Sequence, residues 1–117
     1  MGYYTNFSLR MIGNDDDINE VVASASKLEQ GENYEPFVDG IKELVTEEEL
    51  YAKWYHFEED FVPFAQKFPN VLFIVYGSGE EEMDIWELRI KGDLTEYHEV
   101  EMPNFTTPEL LLENENK

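Results

Sequence analysis

Residues 71–76 read VLFIVY, an unbroken apolar run of strand-forming residues. Such a run has no polar face to offer to water, which is typical of a strand that is covered on both faces. Gly77-Ser78-Gly79 follows it and is a turn signal. The run therefore predicts the central strand of a sheet, and the segments on either side of it decide the fold class.

The chain after this run predicts a meander of strands. Apolar residues at positions 86, 88 and 90 alternate with charged ones over residues 84–91, which is the pattern of a half-buried strand. Gly92-Asp93 is a hairpin signal and leads to a last strand near residues 95–102. We assign residues 1–112 to one domain and residues 113–117 to a frayed acidic tail.

The chain before the run predicts two further strands and two helices. Residues 3–12 alternate as a strand. Asp15–Asp17 supply an N-cap candidate and first-turn acids for a helix that ends before Gly31. Residues 32–49 give a mixed signal, since Pro36 could open a helix through Val45 while Asp39-Gly40 could be a turn. We interpret this segment as a connection with at most one turn of helix.

The next two elements are a strand at residues 50–56 and a helix at residues 57–68. Thr46–Glu49 has the form of a capping box and could start a helix, but the aromatic residues that follow favour a strand. Phe57, Phe61, Phe64, Ala65 and Phe68 share one helical face. The element order predicts an α+β fold, a ferredoxin-like sandwich with two helices on one face of a largely antiparallel sheet.

Composition indicates a packed domain with an extreme charge. The chain has 27 Asp and Glu against 8 Lys and Arg, a net charge of −19, yet it is 42% hydrophobic and 15% aromatic. Disordered acidic chains are poor in aromatic residues, so the charge is expected to cover a folded core. With no cysteine and no long apolar run, we expect a soluble cytoplasmic protein. The negative charge argues against direct contact with nucleic acid or anionic membranes.

No motif predicts catalysis, a metal or a cofactor. His56 and His98 are the only histidines, and neither belongs to a paired-ligand motif. Asp15–Asp17 is better explained as a helix start than as a calcium loop. Gly77-Ser78-Gly79 leads into glutamates and lacks the lysine of a phosphate-binding loop. The aromatic residues at 54–57 are interpreted as core rather than as a base-stacking surface. We therefore predict that the protein is not an enzyme.

The residues quoted above resemble a family of small phage-encoded and mobile-element proteins, the YubB-type ferredoxin-like family. The similarity rests on the opening Gly2-Tyr3-Tyr4-Thr5, on Lys53-Trp54-Tyr55, and on Gly77-Ser78-Gly79-Glu80-Glu81 with Asp84-Ile85-Trp86. It also includes the segments 58–60, 68–69 and 71–73, and the middle segment 32–48 departs from the pattern by being longer. The resemblance implies a phage-type origin, and in its acidity the chain is similar in character to DNA-mimic inhibitors.

The acidic clusters suggest what the protein binds. A carboxylate-rich face can occupy the same basic groove as nucleic acid, so we predict an inhibitor of a cationic, nucleic-acid-binding host protein, of the anti-restriction or anti-CRISPR type. The predicted contact residues are acids and aromatic anchors in two clusters, Glu47, Glu48, Glu49, Tyr51 and Tyr55 in the first and Glu80, Glu81, Glu82 and Asp84 in the second. The alternative is an accessory module that self-associates through sheet edges, and a small hydrolase would need a pocket of converging acids.

Overall fold

A computed structural model describes residues 3–30, 36–81 and 84–99 of the chain. This part is an α+β fold with a five-stranded antiparallel sheet and three helices. The elements in chain order are β1 (Thr5–Ile12), α1 (Asp15–Ser26), α2 (Val38–Glu47), β2 (Glu49–Ala52), α3 (Phe57–Gln66), β3 (Leu72–Gly79), β4 (Ile85–Lys91) and β5 (Leu94–Glu99). The predicted tail at residues 113–117 and the end of the predicted last strand, residues 100–102, lie outside the described residues.

The sheet confirms the α+β class and the central position of the apolar run. Its strand order is β2-β1-β3-β4-β5, and every neighbouring pair is antiparallel. The ferredoxin-like detail is not confirmed, because the described residues form three helices rather than two and the strands follow this different order. The prediction that the central strand, β3, is buried on both faces is confirmed only in part. Phe73 and Val75 are fully buried and Ile74 is nearly so, but Tyr76 is 41% exposed.

One hydrophobic cluster joins the helices to the sheet. The strand residues in it, such as Phe7, Val75 and Leu88, occupy alternate positions, so they lie on one face of the sheet. We call the other side the outer face. The helix predicted at residues 57–68 is confirmed as α3, and Phe61 and Phe64 are both buried. The helical members of the cluster are Val21, Ala25, Ile41, Leu44, Val45, Phe57, Phe61, Phe64 and Ala65.

The prediction of a connection at residues 32–49 was wrong, because a full helix, α2, spans Val38–Glu47. Ile41, Leu44 and Val45 recur at helical spacing and are buried, so the apolar face of the helix outweighs the turn signal of Asp39-Gly40. Gly40 serves close packing instead of a turn. A β-carbon there would lie 2.6 Å from the Phe37 ring and 3.0 Å from Trp54.

Two element boundaries differ from the predictions. The first helix is capped by Asn14, whose side chain accepts the backbone N–H of Asp17 at 2.8 Å, and not by an aspartate. The strand predicted at residues 50–56 ends at Ala52. Trp54 leaves the sheet because its ring is buried and its indole N–H donates to Asp60 at 2.8 Å. Thr46–Glu49 does not start a helix, since α2 ends at Glu47 and β2 begins at Glu49, so the choice of a strand over a capping box is confirmed.

Candidate functional site

Four chain segments meet at one end of the sheet. Thr5 at the start of β1 pairs with Ala52 at the end of β2 and with Gly79 at the end of β3. Trp86 near the start of β4 pairs with Glu99 at the end of β5. The turn before α3 and the loop between β3 and β4 therefore leave the sheet at the same end. We call it the acidic end, because it carries Glu58, Glu59, Glu80, Glu81, Asp84 and Glu99.

A cavity of about 500 Å³ lies at the acidic end, and its lining is mainly aromatic. We call it the aromatic pocket. Phe7, Trp54 and Phe57 are buried beneath it. Its more accessible lining consists of Tyr3, Thr5, Tyr55, His56, Glu58, Glu59, Trp86 and Tyr97. This volume falls within the range of ligand-binding cavities, roughly 300 to 1,000 Å³.

Hydrogen bonds from Tyr3 hold three segments of the pocket together. The Tyr3 hydroxyl donates to the carboxylate of Asp84 and accepts the backbone N–H of Glu81 at 3.0 Å. The backbone N–H of Tyr3 donates to the Tyr55 hydroxyl at 2.9 Å. The loop itself is closed by the Gly79 N–H, which donates to the Asp84 carbonyl at 2.8 Å. The N-terminal segment, the turn before α3 and the β3–β4 loop are thus fixed against one another.

Asp60 anchors the floor of the pocket through its carboxylate. One of its carboxylate oxygens accepts the Trp54 indole N–H at 2.8 Å and the Phe37 backbone N–H at 3.2 Å. Trp54 also packs edge-on against Phe57 and Phe7, with ring centroids 4.7 and 5.6 Å apart. The acidic first turn of α3 therefore has two roles, since Asp60 supports the core while Glu58 and Glu59 remain exposed.

The electrostatic environment of the pocket is negative. The hydrogen bond to Asp84 raises the pKa of Tyr3 above its ordinary value. Burial raises the pKa of Tyr97, and the charges of Glu99, Glu58 and Asp84 raise it further. Carboxylates from three separate segments therefore act on one ring. No lysine or arginine is among the described residues that line the pocket.

The second predicted cluster lies at this site together with Tyr55. Glu80 and Glu81 are exposed on the loop, Tyr55 is 67% exposed, and Asp84 is half-buried with its carboxylate bound to Tyr3. Asp84 consequently acts in positioning Tyr3. Glu82 lies outside the described residues, so its predicted role stays a prediction.

The rest of the first predicted cluster lies elsewhere, since Tyr55 is its one member that lines the pocket. Glu47 ends α2, Glu48 is its C-cap, and Glu49 pairs with Ser8 at the edge of the sheet. Tyr51 lies on the outer face and stacks on Tyr4 with ring centroids 4.8 Å apart. Glu49 and Ala52 are separated by about 10 Å along the strand. The structure therefore does not bring the two predicted clusters into one surface.

Sequence reasoning missed Tyr3, Trp86 and Tyr97 as lining residues of a pocket. Trp86 and Tyr97 approach each other across the β4–β5 hairpin, with ring centroids 5.9 Å apart. A usable signal was present, because a two-residue Gly92-Asp93 turn fixes the strand register and places Trp86 and Tyr97 diagonally on one face. The role of Tyr3 had no such signal, since its partner Asp84 is 81 residues away.

The parts of the chain that the structure describes contain no group of three residues suited to hold a metal ion. Within the same residues, no helix is long and apolar enough to cross a membrane. Comparison with protein-family models, with curated proteins and with solved structures gave no match. The resemblance to the YubB-type family therefore stays a prediction from the residues that carry it.

Proposed function

We propose that this protein is a non-enzymatic, phage-type inhibitor whose acidic end binds the cationic, nucleic-acid-binding surface of a host defence or nucleic-acid-processing protein. The observation that supports this proposal most is the gathering of acids from three segments around the aromatic pocket. Potentials that match across an interface accelerate association and select partners of opposite charge. A partner that normally holds phosphates offers such a surface.

The outer face provides a contrast within the same molecule. It carries Arg10, Arg89 and Lys91 against Glu49, Glu87 and Glu96, three charges of each sign. Arg89 and Glu87 form an ion pair at 2.6 Å. The chain therefore places basic residues among acids on the sheet surface and omits them from the lining of the pocket. This difference argues that the acidic end has a use beyond solubility.

Local structural roles account for some of the acids but not for those on the loop. Glu58 and Glu59 lie in the first turn of α3, where the helix dipole favours negative charge. Glu80, Glu81 and Glu99 are exposed, and none of them lies in the first turn of a described helix. Like charges that are gathered without a structural partner reduce stability, which supports a binding role for them.

The origin and location of the protein belong to the same proposal. A phage-type origin rests on the resemblance in residues 2–5, 53–55, 77–81 and 84–86. A place in the host cytoplasm is compatible with a chain that has no cysteine.

The test compares two variants with equal net charge. The first replaces Glu58, Glu59, Glu80 and Glu81 by glutamine, and the control replaces Asp15 and Asp16 by asparagine, Glu20 by glutamine and Asp93 by asparagine. Each converts four carboxylates, so both raise the net charge from −19 to −15. Each also changes two acids in the first turn of a helix, so helix-dipole effects are matched. Asp84 is left unchanged because it holds Tyr3.

Wild-type protein is first used to recover partners from a bacterial lysate at low salt, and the recovered protein is purified. Its affinity for each variant is then measured at low and raised salt, with and without duplex DNA. We expect the acidic-end variant to associate more slowly and bind more weakly, the control to bind like wild type, and DNA to compete. Equal weakening by both variants, or no competition by DNA, would contradict the proposal.

The alternative, a self-associating accessory module, is supported by a different surface. Ile12, Tyr51, Tyr76, Ile85 and Leu94 lie on the outer face and are each at least 41% exposed. Exposed apolar side chains gathered on one face often mark an interface. Sedimentation equilibrium separates the two functions, because only the module requires a concentration-dependent dimer that Tyr76→Glu disrupts.

A further inference from the structure

The rings of the aromatic pocket are more exposed than core packing requires. Tyr55 is 67% exposed and Tyr97 is 43% exposed, while Phe7 and Phe57 beneath them already fill the core. Hydrogen bonds from Tyr3 hold the Tyr55 hydroxyl and the β3–β4 loop in place. The pocket is therefore a preformed cavity with accessible aromatic rings, and binding to it requires little ordering of these segments.

The chemistry of the lining is suited to a cation. Aromatic faces attract Lys, Arg and quaternary ammonium groups through the negative potential of the ring face. Glu58 and Glu59 line the cavity as well, and their carboxylates can accept hydrogen bonds from a cationic donor. Burial raises the pKa of Tyr97, and the charges of Glu99, Glu58 and Asp84 raise it further, so negative charge converges on this ring.

We infer that the aromatic pocket receives the guanidinium group of an arginine side chain from the partner protein. This inference rests on the proposed function, because it names the group on the cationic partner that the acidic end binds. Arginine fits better than lysine for two reasons. Its planar, weakly hydrated group stacks on rings such as Trp86 and Tyr97, and its fork of donors can bind a carboxylate in a bidentate manner.

The size of the cavity also bears on the occupant. At about 500 Å³ the pocket is larger than one side chain needs, so the arginine enters together with part of its flanking backbone. Arginine is enriched at protein interfaces and among the residues that dominate their affinity. A nucleic-acid-binding surface would supply such arginines because they normally contact phosphates.

The experiment titrates three blocked tripeptides, glycine-arginine-glycine and its lysine and citrulline counterparts, into the full-length protein. Binding is followed by NMR from the indole N–H of Trp86, and the backbone N–H of Leu94, at the opposite end of the β4–β5 hairpin, is the internal reference. Citrulline has nearly the shape of arginine but no charge, and lysine has the positive charge but no planar guanidinium group. We expect arginine to bind in the millimolar range, lysine several-fold more weakly, and citrulline without measurable saturation.

A matched pair of variants locates the site. Tyr97→Leu removes a ring from the pocket, and Tyr76→Leu removes one of similar exposure, 41% against 43%, from the outer face. We expect Tyr97→Leu to weaken arginine binding about two- to fivefold and Tyr76→Leu to leave it unchanged. Equal binding of the lysine and arginine peptides, or equal effects of the two variants, would overturn the inference.

Failure of this inference is distinguishable from failure of the proposed function. If the arginine peptide does not bind while the acidic-end variant still loses the purified partner, the pocket is wrong and the acidic interface stands. If the peptide binds as expected while the acidic-end and control variants bind the partner equally, the pocket stands and the inhibitor function fails.

Discussion

Replacing Glu48 by glycine should stabilise the protein by about 1 kcal/mol. Glu48 has φ 64° and is the one non-glycine residue with positive φ among the described residues. Its N–H donates to the Leu44 carbonyl at 2.9 Å, and its carbonyl accepts the Leu9 N–H at 2.9 Å, so this conformation links α2 to β1. The left-handed conformation costs a residue with a side chain about 1–2 kcal/mol. A carboxylate at a helix C-terminus costs roughly a further 0.3–1 kcal/mol, and Glu48→Gly removes this cost as well. Glycine has more conformational freedom in the unfolded chain, which reduces the stabilisation by about 0.5–1 kcal/mol.

Urea denaturation measures this change, since urea does not screen the charge as guanidinium chloride would. Glu48→Gln isolates the charge and should contribute only about 0.3–1 kcal/mol. Glu49→Gly is the matched control, because the next residue is extended in β2 and glycine there should destabilise by about 0.5–1 kcal/mol. A midpoint for Glu48→Gly at or below that of wild type, with an unchanged slope, would refute the argument that the turn is strained.

Three further results are expected. Phe61→Ala should lower the free energy of unfolding by about 3–5 kcal/mol, because the ring is fully buried, with its centroid 5.2 Å from that of Phe57 and 6.0 Å from that of Phe73. A loss below about 1 kcal/mol, measured by denaturant unfolding, would contradict this packing. The pKa of Tyr97 is raised in the folded protein, so above about pH 10 this tyrosine loses its proton more readily in the unfolded chain, and the free energy of unfolding falls as the pH rises. Tyr97→Phe removes this titration and should flatten the alkaline limb of a plot of stability against pH. Asp84→Asn should lower the pKa of Tyr3 towards its ordinary value, as followed by NMR titration of the phenol, and an unchanged pKa would mean that the hydrogen bond is absent in solution.

The parts of the fold that the sequence predicts are those with strong local periodicity. The helix at Phe57–Gln66 and the hairpin strand at Ile85–Lys91 repeat with a clear period, the central strand is marked by an unbroken apolar run, and all three are confirmed. The helix at Val38–Glu47 was missed because Gly40 reads as a turn residue in isolation. Only the tertiary neighbours Phe37 and Trp54 explain why a glycine is required inside that helix.

The pocket was harder to predict because its lining comes from distant parts of the chain. Tyr3, Tyr55 and Tyr97 each look like ordinary strand or turn residues in their local sequence. Their convergence depends on strand order, and the predicted ferredoxin-like order differs from the order β2-β1-β3-β4-β5. The acidic clusters are visible in the sequence, but their local sequence does not distinguish one from the other as a binding site. The structure separates them, since Glu81 and Asp84 contact the pocket residue Tyr3, whereas Glu47, Glu48 and Glu49 lie where α2 ends and β2 begins.

The distinction between these two clusters also follows from backbone geometry. Glu48 is fixed by hydrogen bonds through its main chain, so an acidic side chain is not required for its structural role, and its positive φ favours glycine there. At the acidic end the side chains themselves are engaged, since Asp84 binds Tyr3 and Asp60 binds Trp54. These two buried or half-buried contacts hold the aromatic rings, while Glu58, Glu59, Glu80 and Glu81 remain exposed around them. A desolvated cation gains most from charge that lies around a rigid aromatic cavity, which is the physical reason for the proposal that a cationic partner binds at this end of the sheet.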